Sequence, residues 1–227
     1  MTDYRLLIFD WDGTLVDSIG RIVESMRVAA AACDLEPLGD ATIKGIIGLG
    51  LPEAIRTLYP DQHDAGLQER FRHLYSEHYL ALESEPSPLY AGVAEALEAF
   101  RGAGYRLAVA TGKTRQGLDR VLAGHGWQEY FDVSRCADET ASKPDPRMLH
   151  EILAHCRVSP EQALMVGDSS FDLQMARHAG MDAVAVSYGA QSPETLRLHG
   201  PQLVIDEFGE LCTWLGVRST RNVVVEG

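Results

Sequence analysis

The sequence predicts an α/β protein: a doubly wound parallel sheet with an all-helical cap inserted after its first strand. Three observations carry this expectation. Short apolar segments, YRLLIF at 4–9, YRLAVAT at 105–111, ALMVGD at 163–168 and AVAVSYG at 183–189, alternate with helical periodicity. Such segments suit parallel strands buried on both faces. Residues 17–87 interrupt that alternation with helices alone, and ESEPSPLY (83–90) then breaks the pattern with two prolines. The strand at 4–9 can join the later strands only if the helical stretch is an insertion. The expected units are therefore 1–16 with 88–227 as the core, and 17–87 as the cap.

The elements follow in order. After the first strand, SIGRIVESMRVAAAAC places Ile19, Ile22, Val23, Met26 and Ala30 on one helical face. Pro52 can open a second helix as its first residue. A third carries Leu67, Phe71, Leu74, Tyr75, His78 and Leu82 along one side. Beyond the linker, a helix over 92–101 stops at GAG before the strand 105–111, and a helix over 114–123 stops at GHG before a strand at 131–136. Asp145 and Pro146 read as cap and first residue of the next helix. Ser159-Pro160-Glu161-Gln162 reads as another helix start with capping-box spacing. The strands 163–168 and 183–189 are separated by a helix ending at Gly180.

Composition narrows the function classes. Residues of the apolar types make up 45% of the 227, charged ones 23%, and the formal net charge is −13. That balance argues against nucleic acid or an anionic membrane as partner, while leaving room for a small anionic substrate in a locally cationic cleft. Four scattered cysteines form no CxxC pair, and the eight histidines show no ligand spacing. Reduced cysteines, no signal-like opening and no membrane-length apolar run make the cytoplasm the expected location. The oligomeric state is left open.

Chemistry-bearing residues gather where the strands end. Asp10-Trp11-Asp12-Gly13-Thr14 follows the first strand, Thr111-Gly112-Lys113 the second, Ser142-Lys143-Pro144 the third, and Gly167-Asp168-Ser169-Ser170-Phe171-Asp172 the fourth. Taken singly, each has an ordinary reading as a turn, a solvated charge or a helix cap, with Asp172 outside. A doubly wound sheet, however, binds ligands beyond the carboxyl ends of its strands, so all four clusters meet at one rim. Carboxylates of Asp10, Asp12, Asp168 and Asp172 would repel by about 1–4 kcal/mol per close pair. A divalent, oxygen-preferring cation relieves that, and few carboxylates with room for water and phosphate suit Mg2+. Lys143 and the N–H groups around Gly112 then suit a phosphate dianion.

FDWDGTLVDS, VATGK, SKPDP and GDSSFD, in that order, resemble the four motifs of the haloacid dehalogenase-like hydrolase superfamily. The resemblance spans residues 4–206 and is to the branch with a helical cap after the first motif, where phosphoglycolate phosphatase-like enzymes sit. It implies a Rossmann-like core and hydrolysis of a small-molecule phosphomonoester with Mg2+. It implies Asp10 as the nucleophile that becomes an aspartyl-phosphate, and Asp12 as general acid and base. It further implies Asp10, the Asp12 main-chain carbonyl and Asp168 as metal ligands, with Asp172 supporting directly or through water. Thr111, Gly112 and Lys143 are implied to bind the transferring phosphoryl group. The acid at position 12 separates this pattern from the dehalogenases. Trp11 departs from the usual smaller apolar residue, and its side chain is expected to point away from the carboxylates.

The cap is expected to select the substrate, with phosphoglycolate as the first candidate. KGIIGLGL (44–51) lacks nucleotide-loop spacing; it reads either as a turn between cap helices or as a loop reaching over the site, with Lys44 or Arg56 meeting the substrate. Two other functions remain. A phosphosugar mutase of the same branch is less favoured because the second motif is Thr-Gly-Lys and not Ser-rich. A non-enzymatic phospho-Asp signalling domain shares the acidic site but is about half as long and has no helical insertion.

Overall fold

The computed structural model describes residues 3–83 and 85–217. The tail 218–227, for which the sequence suggests no role, lies outside them. Six parallel strands form one sheet: β1 (Leu6–Phe9), β2 (Arg106–Thr111), β3 (Val133–Cys136), β4 (Ala163–Gly167), β5 (Asp182–Val186) and β6 (Leu203–Ile205). Their spatial order is β3-β2-β1-β4-β5-β6. The chain thus starts in the middle and winds outward twice, in opposite directions, as a doubly wound sheet does.

Side chains of each strand alternate between two cores, because successive Cβ atoms point to opposite faces. Leu7 and Phe9 of β1, with Leu107 and Val109 of β2, face the helices α5 (Val93–Gly102), α6 (Arg115–Gly124) and α10 (Glu210–Trp214). Leu6, Ile8, Ala108 and Ala110 face α7 (Arg147–Cys156), α8 (Ser170–His178) and α9 (Pro193–Arg197). Among the described residues, the elements between β1 and α5 are, apart from isolated bridges at Val16, helices: α1 (Ile19–Ala32), α2 (Asp40–Lys44), α3 (Leu51–Leu58) and α4 (Ala65–Leu82). They have a hydrophobic cluster of their own, with Ile22, Met26, Ile55 and Phe71 inside it. The chain leaves for this layer and returns from it side by side, since Val16 bridges to Leu89 and the Tyr90 N–H donates to the Leu15 carbonyl at 3.1 Å. Among the described residues no helix is long and apolar enough to cross a membrane.

Several local expectations shift. β6 and the short helices α2, α9 and α10 are not apparent from periodicity, because each is five residues or fewer. Leu51, not Pro52, opens α3. α7 starts one residue later than expected: Pro146 occupies the cap position, and the Asp145 carboxylate accepts the Arg147 N–H at 2.9 Å. Pro160–Gln162 is a single 3-10 turn without a side-chain cap, since β4 begins immediately after it. β5 stops at Val186, which frees Ser187–Ala190 to fold across the end of β4.

Candidate active site

The sheet register sets the site. Phe9 of β1 lies beside Val109 of β2 and Val166 of β4, so Asp10, Thr111 and Asp168 emerge at the same edge. After Phe9 the chain tightens at once: the Gly13 N–H donates to the Val16 carbonyl at 3.0 Å, and Gly13 has φ 78°. A side chain there would overlap the Asp168 carboxylate, so glycine serves both the turn and the close approach.

Asp10, Asp168 and Asp172 are essentially fully buried and offer oxygens within 4.8 Å of one another. Lys143, on the loop after β3 and also buried, is shared: its Nζ stands 2.7 Å from Asp10 Oδ1 and 2.7 Å from Asp172 Oδ1. Burial pushes the Asp10 carboxyl up to about 7 even though Lys143 opposes this, with Asp172 and Asp12 adding repulsion. Asp168 is also raised well above the ordinary carboxylate value, by burial and then by Asp10 and Asp172. Burial disfavours the Lys143 ammonium, but the two carboxylates outweigh it and hold its pKa above the usual lysine range.

The donor set fits a divalent cation. Three buried carboxylates lie together with one ammonium that contacts only Asp10 and Asp172, and Asp10 Oδ2 is buried without a hydrogen-bond partner among the described residues. Asp168 is fixed from outside, its Oδ2 accepting the Ala190 N–H at 2.6 Å while Thr14 Oγ1 donates more weakly to Oδ1 at 3.4 Å. Asp172 differs. It sits at the third helical position of α8, in a capping box with Ser169, and its Oδ2 accepts from Ser169 Oγ at 2.6 Å. With Oδ1 on Lys143, both oxygens of Asp172 are engaged, so it is a buried cap and not the outward-facing residue of the ordinary reading.

Asp12 points elsewhere. Its Oδ1 accepts from Ser18 Oγ at 2.6 Å and pairs with Lys113 Nζ at 3.0 Å. Lys113 also reaches Tyr79 of α4, 3.3 Å to the hydroxyl and 4.8 Å to the ring centre. Asp10, Asp12, Gly112 and Lys113 floor a cavity of about 200 Å³ whose roof is the helical layer, including Met26, Ile47 and Tyr79. Thr111 lies behind that floor, fully buried, its Oγ1 accepting the Lys113 N–H at 3.2 Å.

The 44–51 segment does reach over the site. Gly48 and Leu49 line the cavity, and the Gly50 N–H donates to Ser142 Oγ at 2.8 Å. A Cβ on Gly112 would stand 2.5 Å from the Leu49 carbonyl oxygen, so this contact needs glycine at the end of β2. Neither Lys44 nor Arg56 meets the cavity. Lys44 lines a different cleft beside Asp17 and Tyr188, and Arg56 pairs with Glu53 at 2.6 Å on the surface. Nothing in the cavity therefore supports the expectation that either meets the substrate: Lys44 lies beside Tyr188 and Gly189 instead, and Arg56 is held by Glu53. Lys113, Ser18 and Ala190 were not singled out as site residues. Only Lys113 carried a signal, its place next to Thr-Gly; the others act through contacts that no spacing shows.

Trp11 points away from the carboxylates, as expected. It is 1% exposed and packs edge-on against Trp127 and Phe131, with His125 also against it.

Comparison with known proteins agrees with this geometry. The haloacid dehalogenase-like hydrolase family model matches residues 7–186. The chain is 34% identical over 213 residues to the "Probable phosphatase IndB" of Dickeya dadantii, covering 91% of each. It is 32% identical to a phosphoglycolate phosphatase of Mesorhizobium japonicum, covering 95% of this chain and 96% of that one. Among solved structures, a predicted phosphoglycolate phosphatase from Haemophilus somnus superposes with TM-score 0.84 at 26% identity, over 95% of this chain and 99% of that one. With a buried carboxylate–lysine site at the carboxyl edge of a doubly wound sheet, the chain belongs to the haloacid dehalogenase-like hydrolase family.

Proposed function

We propose that this chain is a Mg2+-dependent phosphatase that cleaves a small phosphomonoester through an aspartyl-phosphate on Asp10. The observation that carries the reading is the buried group of Asp10, Asp168, Asp172 and Lys143, with Asp10 Oδ2 unpartnered at the cavity floor. One carboxylate oxygen of Asp10 attacks phosphorus as the bond to the alcohol oxygen breaks, and Asp12 delivers a proton to that oxygen. Asp12 then takes a proton from the water that attacks the aspartyl-phosphate, which releases phosphate and restores Asp10. Splitting one displacement into two uses a carboxylate as nucleophile. A group placed like Asp12 contributes about 10²–10⁴ in rate. Lys143, the Thr111 hydroxyl and the N–H groups around Gly112 hold the charge of the transferring phosphoryl group. Asp10, Asp168 and the Asp12 main-chain carbonyl would hold Mg2+, with Asp172 acting through Lys143. The bound ion would offset the repulsion between the carboxylates and the phosphate. Residues 17–87 serve as the cap that closes the leaving-group side.

The test is phosphate release from a metabolite panel, with Mg2+ and with chelator. Phosphoglycolate belongs in the panel because several relatives bear that name. Asp10→Asn is expected to remain folded and release no phosphate. Undiminished release by that variant refutes the mechanism, and isomerisation of a sugar phosphate without release would favour a mutase.

A further inference from the structure

The cavity between sheet edge and cap is where the alcohol part of the substrate would lie, and one side chain in its wall is incompletely paired. Glu83 follows α4 directly and lines the cavity. Its side chain is 7% exposed. Oε2 stands 3.4 Å from Arg120 Nη1, while Oε1 is buried with no hydrogen-bond partner among the described residues. A carboxylate oxygen takes only donors, and leaving one buried and unpaired is costly. The charges around the cavity point the same way. Its two cationic lining residues are already matched, Lys113 with Asp12 and Arg120 with Glu83. Lys143 is taken up by Asp10 and Asp172. A second anionic group on the substrate would meet carboxylates and no unmatched cation. At about 200 Å³ the space is also below the roughly 300–1,000 Å³ of pockets for drug-sized ligands.

We propose that Glu83 is a specificity-determining residue whose Oε1 accepts a hydrogen bond from a hydroxyl or ammonium group on the leaving alcohol. The substrate class is then a phosphomonoester of a small polyol or amino alcohol, and not of a hydroxy acid. This rests on the phosphatase reading and refines it, placing phosphoglycolate low in the panel.

The experiment measures phosphate release with Mg2+ from propyl phosphate, glycerol phosphate, phosphoethanolamine and phosphoglycolate, with p-nitrophenyl phosphate alongside. Glycerol phosphate or phosphoethanolamine is expected to exceed both propyl phosphate and phosphoglycolate by about tenfold in kcat/KM, and the better of the two identifies the donor. In Glu83→Gln the charge is gone and an amide donor is present, so the preference over phosphoglycolate should shrink by about tenfold. Should that variant not fold, the wild-type ranking decides alone. Phosphoglycolate or propyl phosphate ranking with or above the donor-bearing esters overturns the proposal, as does an unchanged ratio in Glu83→Gln. Release from p-nitrophenyl phosphate but from none of the four overturns the substrate class alone. No release from any ester removes the phosphatase reading and this inference together.

Discussion

Replacing Lys143 with methionine tests the electrostatics of the site without changing the size of the side chain much. The ammonium is fully buried, 2.7 Å from Asp10 Oδ1 and 2.7 Å from Asp172 Oδ1. At an effective dielectric of about 20, each contact corresponds to roughly 6 kcal/mol of attraction. Desolvating the ammonium offsets several kcal/mol of that, so Lys143→Met in chelator should cost about 3–5 kcal/mol. For a chain of this size that is a fall of about 6–20 °C in Tm. The pH dependence has a definite sign. Burial holds Asp10 at about 7 against an ordinary 3.8, so the folded chain keeps a proton that the unfolded chain releases. Metal-free stability therefore falls as pH rises from about 4 to 7, and it falls further in the variant, where no cation opposes the burial. The assay is thermal unfolding of both proteins at pH 5 and pH 7.5, in chelator and in Mg2+. The gap between them should be widest at pH 7.5 in chelator and narrow in Mg2+. A variant within 1 kcal/mol of wild type in chelator at pH 7.5 would refute the reasoning.

Three other outcomes follow from single contacts. Lys113→Met removes the 3.0 Å partner of Asp12 and should lower kcat by about 10–100-fold with KM changed less, which steady-state kinetics reads directly. Gly112→Ala places a methyl 2.5 Å from the Leu49 carbonyl oxygen, a backbone atom that cannot step aside cheaply; it should cost about 1–3 kcal/mol in denaturant unfolding and raise KM about tenfold or more, because the 48–50 loop can no longer settle. Trp11→Leu, behind the carboxylates and 1% exposed, should cost about 2–4 kcal/mol in denaturant unfolding by opening a cavity beside Trp127, with kcat within threefold of wild type.

Much of the fold is legible because its signals are local. The four strands β1, β2, β4 and β5 are runs of apolar residues that no exposed segment would carry, and the helix α1 shows its buried stripe plainly, whereas α4 fully buries only Phe71 of its expected side, together with Tyr79. The elements that escape notice are five residues or fewer, too short to show a period. The start of α7 moves by one residue because Pro146 takes the cap position while the Asp145 carboxylate accepts the Arg147 N–H, a choice between neighbours that spacing does not show.

The sequence by itself determined that two carboxylates follow the first strand, that two more follow the fourth, and that a lysine and a Thr-Gly stand at the ends between them. A parallel sheet brings strand ends to one rim whatever the details, so the chemistry could be read from order alone. Only the tertiary structure decided how those groups divide. Asp172 is spent on Ser169 and Lys143, Asp12 turns to Lys113, and Asp10 keeps one oxygen free. It also decided that Glu83 and Arg120, not Lys44 or Arg56, wall the cavity. These are choices of side-chain direction at close range between residues far apart in the chain. A one-dimensional pattern carries no information about direction there, because packing against the cap and the 187–190 loop sets it.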